Sequence, residues 1–186
     1  MRIKDKVALI TGSASGVKPQ LMGFGGATAW LFSEEGAKVV IADINEKDGK
    51  NTARQIRDSG GEALFNKLDV TKESDWIKSI KSTVASFGKI DILVNNAGTT
   101  VRENVENTTI EMWDDQMGIH AKGTFLGTKS VIPELRKSGG GSIVNVSSIA
   151  GIVGSHSSTA YHAGKGAIRS FTKAAAVQYA GEGIRV

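Results

Sequence analysis

Tyr161 and Lys165 stand four residues apart, so on a helix both side chains share one face. A phenol is a poor base at neutral pH, because its ordinary pKa lies near 10. Bringing such a group to about 7 takes ~4 kcal/mol of preference for the phenolate. A neighbouring ammonium and an oxidised nicotinamide can supply that preference. Ser148, thirteen residues before Tyr161, offers a hydroxyl to an oxygen that is becoming a carbonyl. The set suits proton removal from an alcohol while hydride leaves its carbon.

A second group of residues concerns phosphate and ribose. A short apolar run ends in Thr11-Gly12-Ser13-Ala14-Ser15-Gly16. A glycine-rich turn between a strand and its helix lets the backbone approach a pyrophosphate seated on the helix N-terminus. Asp43 closes another apolar run, where a carboxylate hydrogen-bonds a ribose 2′-hydroxyl and repels a 2′-phosphate. Together these favour NAD over NADP. Asp43 follows Gly12 by 31 residues, where about 20 or slightly more is usual. Setting aside the seven residues 16–22 leaves 24 and restores a continuous glycine pattern through Gly23, Phe24 and Gly25. We read 16–22 as an insertion in the phosphate loop. The rival reading keeps Gly16 as the second glycine and opens the helix at Pro19. That places Gly23, Gly25 and Gly26 inside a helix, at up to ~1 kcal/mol each.

The elements that must position these groups are legible as an alternation. Strands are predicted at 7–10, 38–43, 62–68, 90–95 and 142–147, each rich in Val, Ile or Leu as buried parallel strands are. Helical patterns lie between them. Trp76, Ile77, Ile80, Val84 and Phe87 form one apolar stripe, and Asn45 can cap the helix carrying Ala53 and Ile56. Thr108 with Glu111 reads as a capping box for a helix running past Trp113, and a last helix spans about 158–180. Trp76 and Trp113 are expected in the core. The order implies an α/β, doubly wound, Rossmann-like parallel sheet in three αβα layers.

Composition excludes several classes. The chain has 186 residues, a size for one domain over 1–186, and no Cys, hence no disulfide, thiolate metal site or thiol nucleophile. A net charge of +4 is no nucleic-acid signature, and Lys47, Lys50, Arg54 and Arg57 read as a solvated helix face. No apolar run is long enough for a signal peptide or a membrane span, so a cytoplasmic protein is expected. His120, His156 and His162 lack metal-ligand spacing, and Asp114 and Asp115 read as solvated charges. No Gly-x-Ser-x-Gly elbow surrounds Ser148, and Gly16-Val17-Lys18 lacks the Walker ending.

Along essentially its whole length the sequence resembles the short-chain dehydrogenase/reductase family. The residues that carry the resemblance are Gly12, Ser15, Gly23, Phe24 and Gly25 in the cofactor loop, Asp69-Val70, Asn95-Asn96-Ala97-Gly98, and Ser148 with Tyr161 and Lys165. The resemblance implies that Asp69 and Val70 contact adenine and that Asp43 and Ile44 lie by the adenosine ribose. It implies that Asn95, Ala97 and Gly98 border the cofactor and that Lys165, beside Tyr161, holds ribose hydroxyls. The cofactor implied is NAD, the substrate a small secondary alcohol or ketone, and the assembly a homo-oligomer, dimer or tetramer.

Two departures stand out. His120 occupies the slot of the family's catalytic Asn, and imidazole can still hydrogen-bond a relay water. The sequence ends where the resemblance opens the sixth strand, so the last strands are expected to be lacking and the fifth strand to form an unprotected edge. These departures leave two readings. One is an NAD-dependent oxidoreductase using Ser148, Tyr161, Lys165 and His120. The other is an inactive chain that keeps the fold and dinucleotide binding. Thr99, Thr100, Ile149 and His156 lie near the substrate position without singling out one alcohol.

Overall fold

A computed structural model describes residues 1–156 and 158–186. Six parallel strands run in the order β3-β2-β1-β4-β5-β6. They are β1 (Val7–Thr11), β2 (Lys38–Asp43), β3 (Ala63–Lys67), β4 (Ile92–Asn95), β5 (Gly141–Asn145) and β6 (Ile184–Arg185). The helices are α1 (Phe24–Glu34), α2 (Glu46–Asp58), α3 (Glu73–Phe87), α4 (Ile110–Met117), α5 (Gly123–Lys137) and α6 (Thr159–Tyr179). Among the described residues no helix is long and apolar enough to cross a membrane.

Alternation along the central strands builds two cores. Leu9, Val40, Ala42, Leu93 and Ile143 face α3 and α5, where Trp76, Leu126 and Leu135 meet them. Ala8, Ile10, Val39 and Ile41 face α1 and α2, where Ala29, Trp30, Ala53 and Ile56 meet them. Because both faces are covered, both alternating positions of each central strand are apolar. The sheet is the middle layer of the expected three.

Several boundaries differ from expectation. Ile90 is buried but precedes β4, and β5 stops at Asn145 rather than reaching Ser147. The cap of α4 is Thr109, whose Oγ1 accepts from the Met112 N–H at 3.2 Å; Thr108 donates its hydroxyl back to the Asn104 carbonyl. Trp113 belongs to neither core cluster, and Trp30 fills the second tryptophan position instead. β6 pairs with Gly141 and Ser142, so the edge of β5 is covered over two of its residues. Asn45 does cap α2, accepting from the Asp48 N–H. Between α4 and α5 the helix widens into a π-helical turn, Gly118–Lys122, which the sequence pattern does not announce.

Candidate active site

The glycine loop and the β4 end are clipped together by Thr11. Its Oγ1 accepts from the Asn96 and Ala97 N–H groups, both at 3.0 Å. Asn96 Nδ2 donates to the Thr11 and Gly12 carbonyls. Gly12 has φ +65°, and a Cβ there would lie 2.7 Å from Ala97 Cα, so the two backbones touch only because this residue lacks a side chain. The approach leaves the loop's polar groups open towards a cleft of about 830 Å³.

That cleft is lined by Gly12, Ser15, Gly23, Phe24, Asp43, Ile44, Asp69, Val70, Ala97 and Gly98, all expected at a cofactor. Gly25 and Asn95 do not line it. Gly25 is packed against the Gly12 backbone and Asn96. Asn95 is buried, and its Nδ2 donates to Asn145 Oδ1 at 2.8 Å and to Thr128, so its neighbour Asn96 faces the cleft in its place. Asp114 and Asp115 are solvated, as expected, yet both line the cleft.

Asp43 is held in place by two backbone donors. The Ala14 N–H reaches Oδ2 at 2.9 Å and the Asn45 N–H reaches Oδ1 at 3.0 Å. Thr52 donates to the Ala14 carbonyl at 2.7 Å, which fixes the loop against α2. Each Asp43 oxygen keeps a lone pair for a hydroxyl donor. At Asp69, burial pushes the carboxyl up, but hydrogen bonds from Thr71 and the Lys72 ammonium outweigh it and hold the group below its ordinary value.

Helix α1 starts at Phe24, behind Gly23, and not at Pro19. Residues 16–22 run outside the helix and away from the cleft. Gly16 O accepts from Trp30 Nε1 at 2.7 Å, the Lys18 backbone exchanges two hydrogen bonds with Gln55, and Lys18 Nζ lies 3.7 Å over the Trp30 ring. The base of the excursion is closed by the Gly23 N–H on Ser15 O at 3.0 Å.

A second cleft, about 740 Å³, meets the first at Phe24, Asn96, Gly98 and Thr99. It brings together His120, Ser148, and the Tyr161 and Lys165 pair of α6, from three separate stretches of sequence. Thr99 and Thr100 line it too; Ile149 and His156 do not. Sequence reasoning missed Arg102, Val146 and Ser147, which no motif marks.

Several polar groups here have defined partners. Ser148 Oγ accepts from the Ala150 N–H at 3.2 Å, leaving its own proton to donate. Lys165 is 4% exposed, and Nζ donates to the Val146 carbonyl at 2.7 Å; burial pushes its pKa down. The π-helical turn carries His120 fully into the protein, where Nε2–H donates to the Thr99 carbonyl at 2.8 Å. A carbonyl can only accept, so Nε2 bears the proton and Nδ1 is left as an acceptor. Nδ1 is buried and has no hydrogen-bond partner. A single point, the Cβ position at Gly98, lies 3.4 Å from this Nδ1 and 3.7 Å from Lys165 Nζ. Burial pushes the His120 pKa down, the Thr99 bond opposes it and Lys165 adds to the lowering, so the ring is neutral at pH 7. No cluster of His and carboxylates among the described residues could hold a metal ion.

Residues 6–186 match the short chain dehydrogenase family. Over 185 residues the chain is 44% identical to a 2,5-dichloro-2,5-cyclohexadiene-1,4-diol dehydrogenase of Sphingobium indicum, covering all of this chain and 71% of the relative. Identity and coverage are the same for a cyclopentanol dehydrogenase of Comamonas testosteroni. A 3-alpha-(or 20-beta)-hydroxysteroid dehydrogenase of Mycobacterium tuberculosis is 35% identical over 185 residues, covering 67% of that protein. With these matches over the parallel sheet and its paired clefts, the chain belongs to the short chain dehydrogenase family.

Proposed function

We propose that the protein is an NAD-dependent oxidoreductase that interconverts a secondary alcohol and a ketone, with Tyr161 as general acid and base. The observation that carries this reading is the junction of the clefts. Ser148, Tyr161, Lys165 and His120 line one cleft and the glycine loop and Asp43 the other, and the two share Phe24, Asn96, Gly98 and Thr99. The relatives are named for cyclic alcohols, a cyclic diol and steroids, which favours an alicyclic secondary alcohol as substrate.

The residues fit a nicotinamide dinucleotide. Gly12 and Gly23 border the cleft at the N-terminus of α1, where backbone N–H groups suit a pyrophosphate. Asp43 keeps acceptor positions for ribose hydroxyls, and with Asp69, Asp114 and Asp115 makes the cleft acidic. Negative charge there disfavours a 2′-phosphate, so NAD is preferred to NADP. When bound, the cofactor supplies the hydride acceptor and donor.

The chain's own residues do the remaining work. Ser148 Oγ donates its free proton to the substrate oxygen. Tyr161 Oη takes the hydroxyl proton in oxidation and returns it in reduction. The Lys165 ammonium lies 5.7 Å from the centroid of the Tyr161 ring and holds ribose hydroxyls. His120 Nδ1, buried and without a hydrogen-bond partner, is an acceptor that a relay water would satisfy.

Calorimetric titration of NADH, with NADPH as control, followed by oxidation of cyclopentanol with NAD⁺, tests this reading. Tight NADH-selective binding and turnover are expected. A folded protein that binds neither dinucleotide would be an enzyme by descent only. On the outer face α5 and α6 expose Phe125 and Val177, which suits pairing with a second copy; light scattering in solution tests that.

A further inference from the structure

The two clefts carry opposite charge. The first sets Asp43, Asp69, Asp114 and Asp115 against one ammonium, Lys122. The second is lined by Arg102 and Lys165, and by no carboxylate among the described residues. Lys165 is already engaged, buried beside Tyr161 with its Nζ on the Val146 carbonyl. Arg102 is exposed and makes no ion pair among the described residues, and it is the arginine that lines this cleft.

Arg102 is also held in position. Its segment is pinned on one side where His120 donates to the Thr99 carbonyl, at 2.8 Å. On the other side the Thr159 N–H, in the first turn of α6, donates to the Glu103 carbonyl at 3.0 Å. A planar fork of donors on a fixed backbone, at a cleft with no negative side chain, matches a pair of anionic oxygens.

We propose that the alcohol oxidised here is a hydroxy acid, whose carboxylate is bound by Arg102 while Ser148 and Tyr161 hold its hydroxyl. This rests on the alcohol–ketone reading above and adds the substrate class. Arg102 acts on specificity alone and takes no part in proton transfer.

Three kinds of probe on one ring test it: cyclohexanol, the 3- and 4-hydroxycyclohexanecarboxylates, and their methyl esters. The acids are expected to exceed the esters in kcat/KM by roughly tenfold or more, as a charge-assisted bond allows. In Arg102→Gln the advantage disappears through KM of the acids, while esters and cyclohexanol keep their constants. Arg102→Lys restores part of it, and about 0.5 M salt weakens it in the parent protein because the guanidinium is exposed. An unchanged acid-to-ester ratio in Arg102→Gln, or a parent preference for esters, overturns the proposal. Binding gives a readout that needs no turnover. The matching keto acids, titrated into NADH-saturated protein, should bind the parent and not Arg102→Gln. If NADH binds and no keto acid does, the hydroxy-acid inference fails; if NADH does not bind, the oxidoreductase reading fails beneath it.

Discussion

The His120 ring meets Tyr161 edge-on, with centroids 5.3 Å apart and planes at 84°. His120 is thus both the wall against which the tyrosine packs and the owner of a buried, unpartnered acceptor beside Lys165. A ring in that position fixes the phenol's orientation before it acts on any proton.

Tyr161→Phe keeps the ring contact and removes the hydroxyl. Turnover is expected to fall by roughly 10²–10⁴-fold, the range for a positioned general acid–base. NADH affinity should stay close to the parent value. Steady-state NADH absorbance and a fluorescence titration separate the two effects.

His120 makes stability depend on pH. Burial lowers its pKa in the folded chain below the ordinary 6.5, so the unfolded chain binds the proton more readily. Its neutral ring contributes stability fully above pH 6.5, and that contribution is lost as pH falls through the folded-state value. Thermal unfolding of the parent should therefore drop more steeply below pH 6.5 than that of His120→Asn. Equal slopes would mean that the ring is not buried neutral.

At Asp43 the expected change is in cofactor choice. Asp43→Asn removes the charge facing a 2′-phosphate and one acceptor for the ribose, so the NADH-to-NADPH affinity ratio should fall by roughly tenfold or more. Paired calorimetric titrations measure it. An unchanged ratio would move the discrimination to Asp114 and Asp115.

Excising residues 16–22 should leave NADH affinity within about twofold, because no residue of the excursion lines the first cleft and Ser15 already meets Gly23 at its base. Stability should fall, because buried Trp30 Nε1 loses its acceptor on Gly16, at roughly 1–3 kcal/mol. A gain in NADH affinity would show that the excursion hinders the pyrophosphate. Chemical denaturation and calorimetry on one preparation report both quantities.

The local patterns of the sequence carried most of the fold. Apolar runs at Leu9, Val40 and Leu93 had to be strands covered on both faces, and helical stripes between them made those strands parallel. The four catalytic candidates were legible through the family resemblance: Ser148, Tyr161 and Lys165 match its motif, and His120 stands in the slot of its Asn. Tertiary structure decided which neighbour faces the first cleft. Strand pairing and the Thr128 contact turn Asn95 away and present Asn96, a choice of side that two identical adjacent residues do not encode. It also decided that the long excursion leans on Gln55 and Trp30 instead of covering the phosphate loop. A π-helical turn, invisible in the helical pattern, rotates His120 fully inward. Arg102 had no motif at all. Its place at the second cleft comes from hydrogen bonds to Thr99 and Glu103 across distant parts of the chain, and such pairings are fixed only when the chain packs.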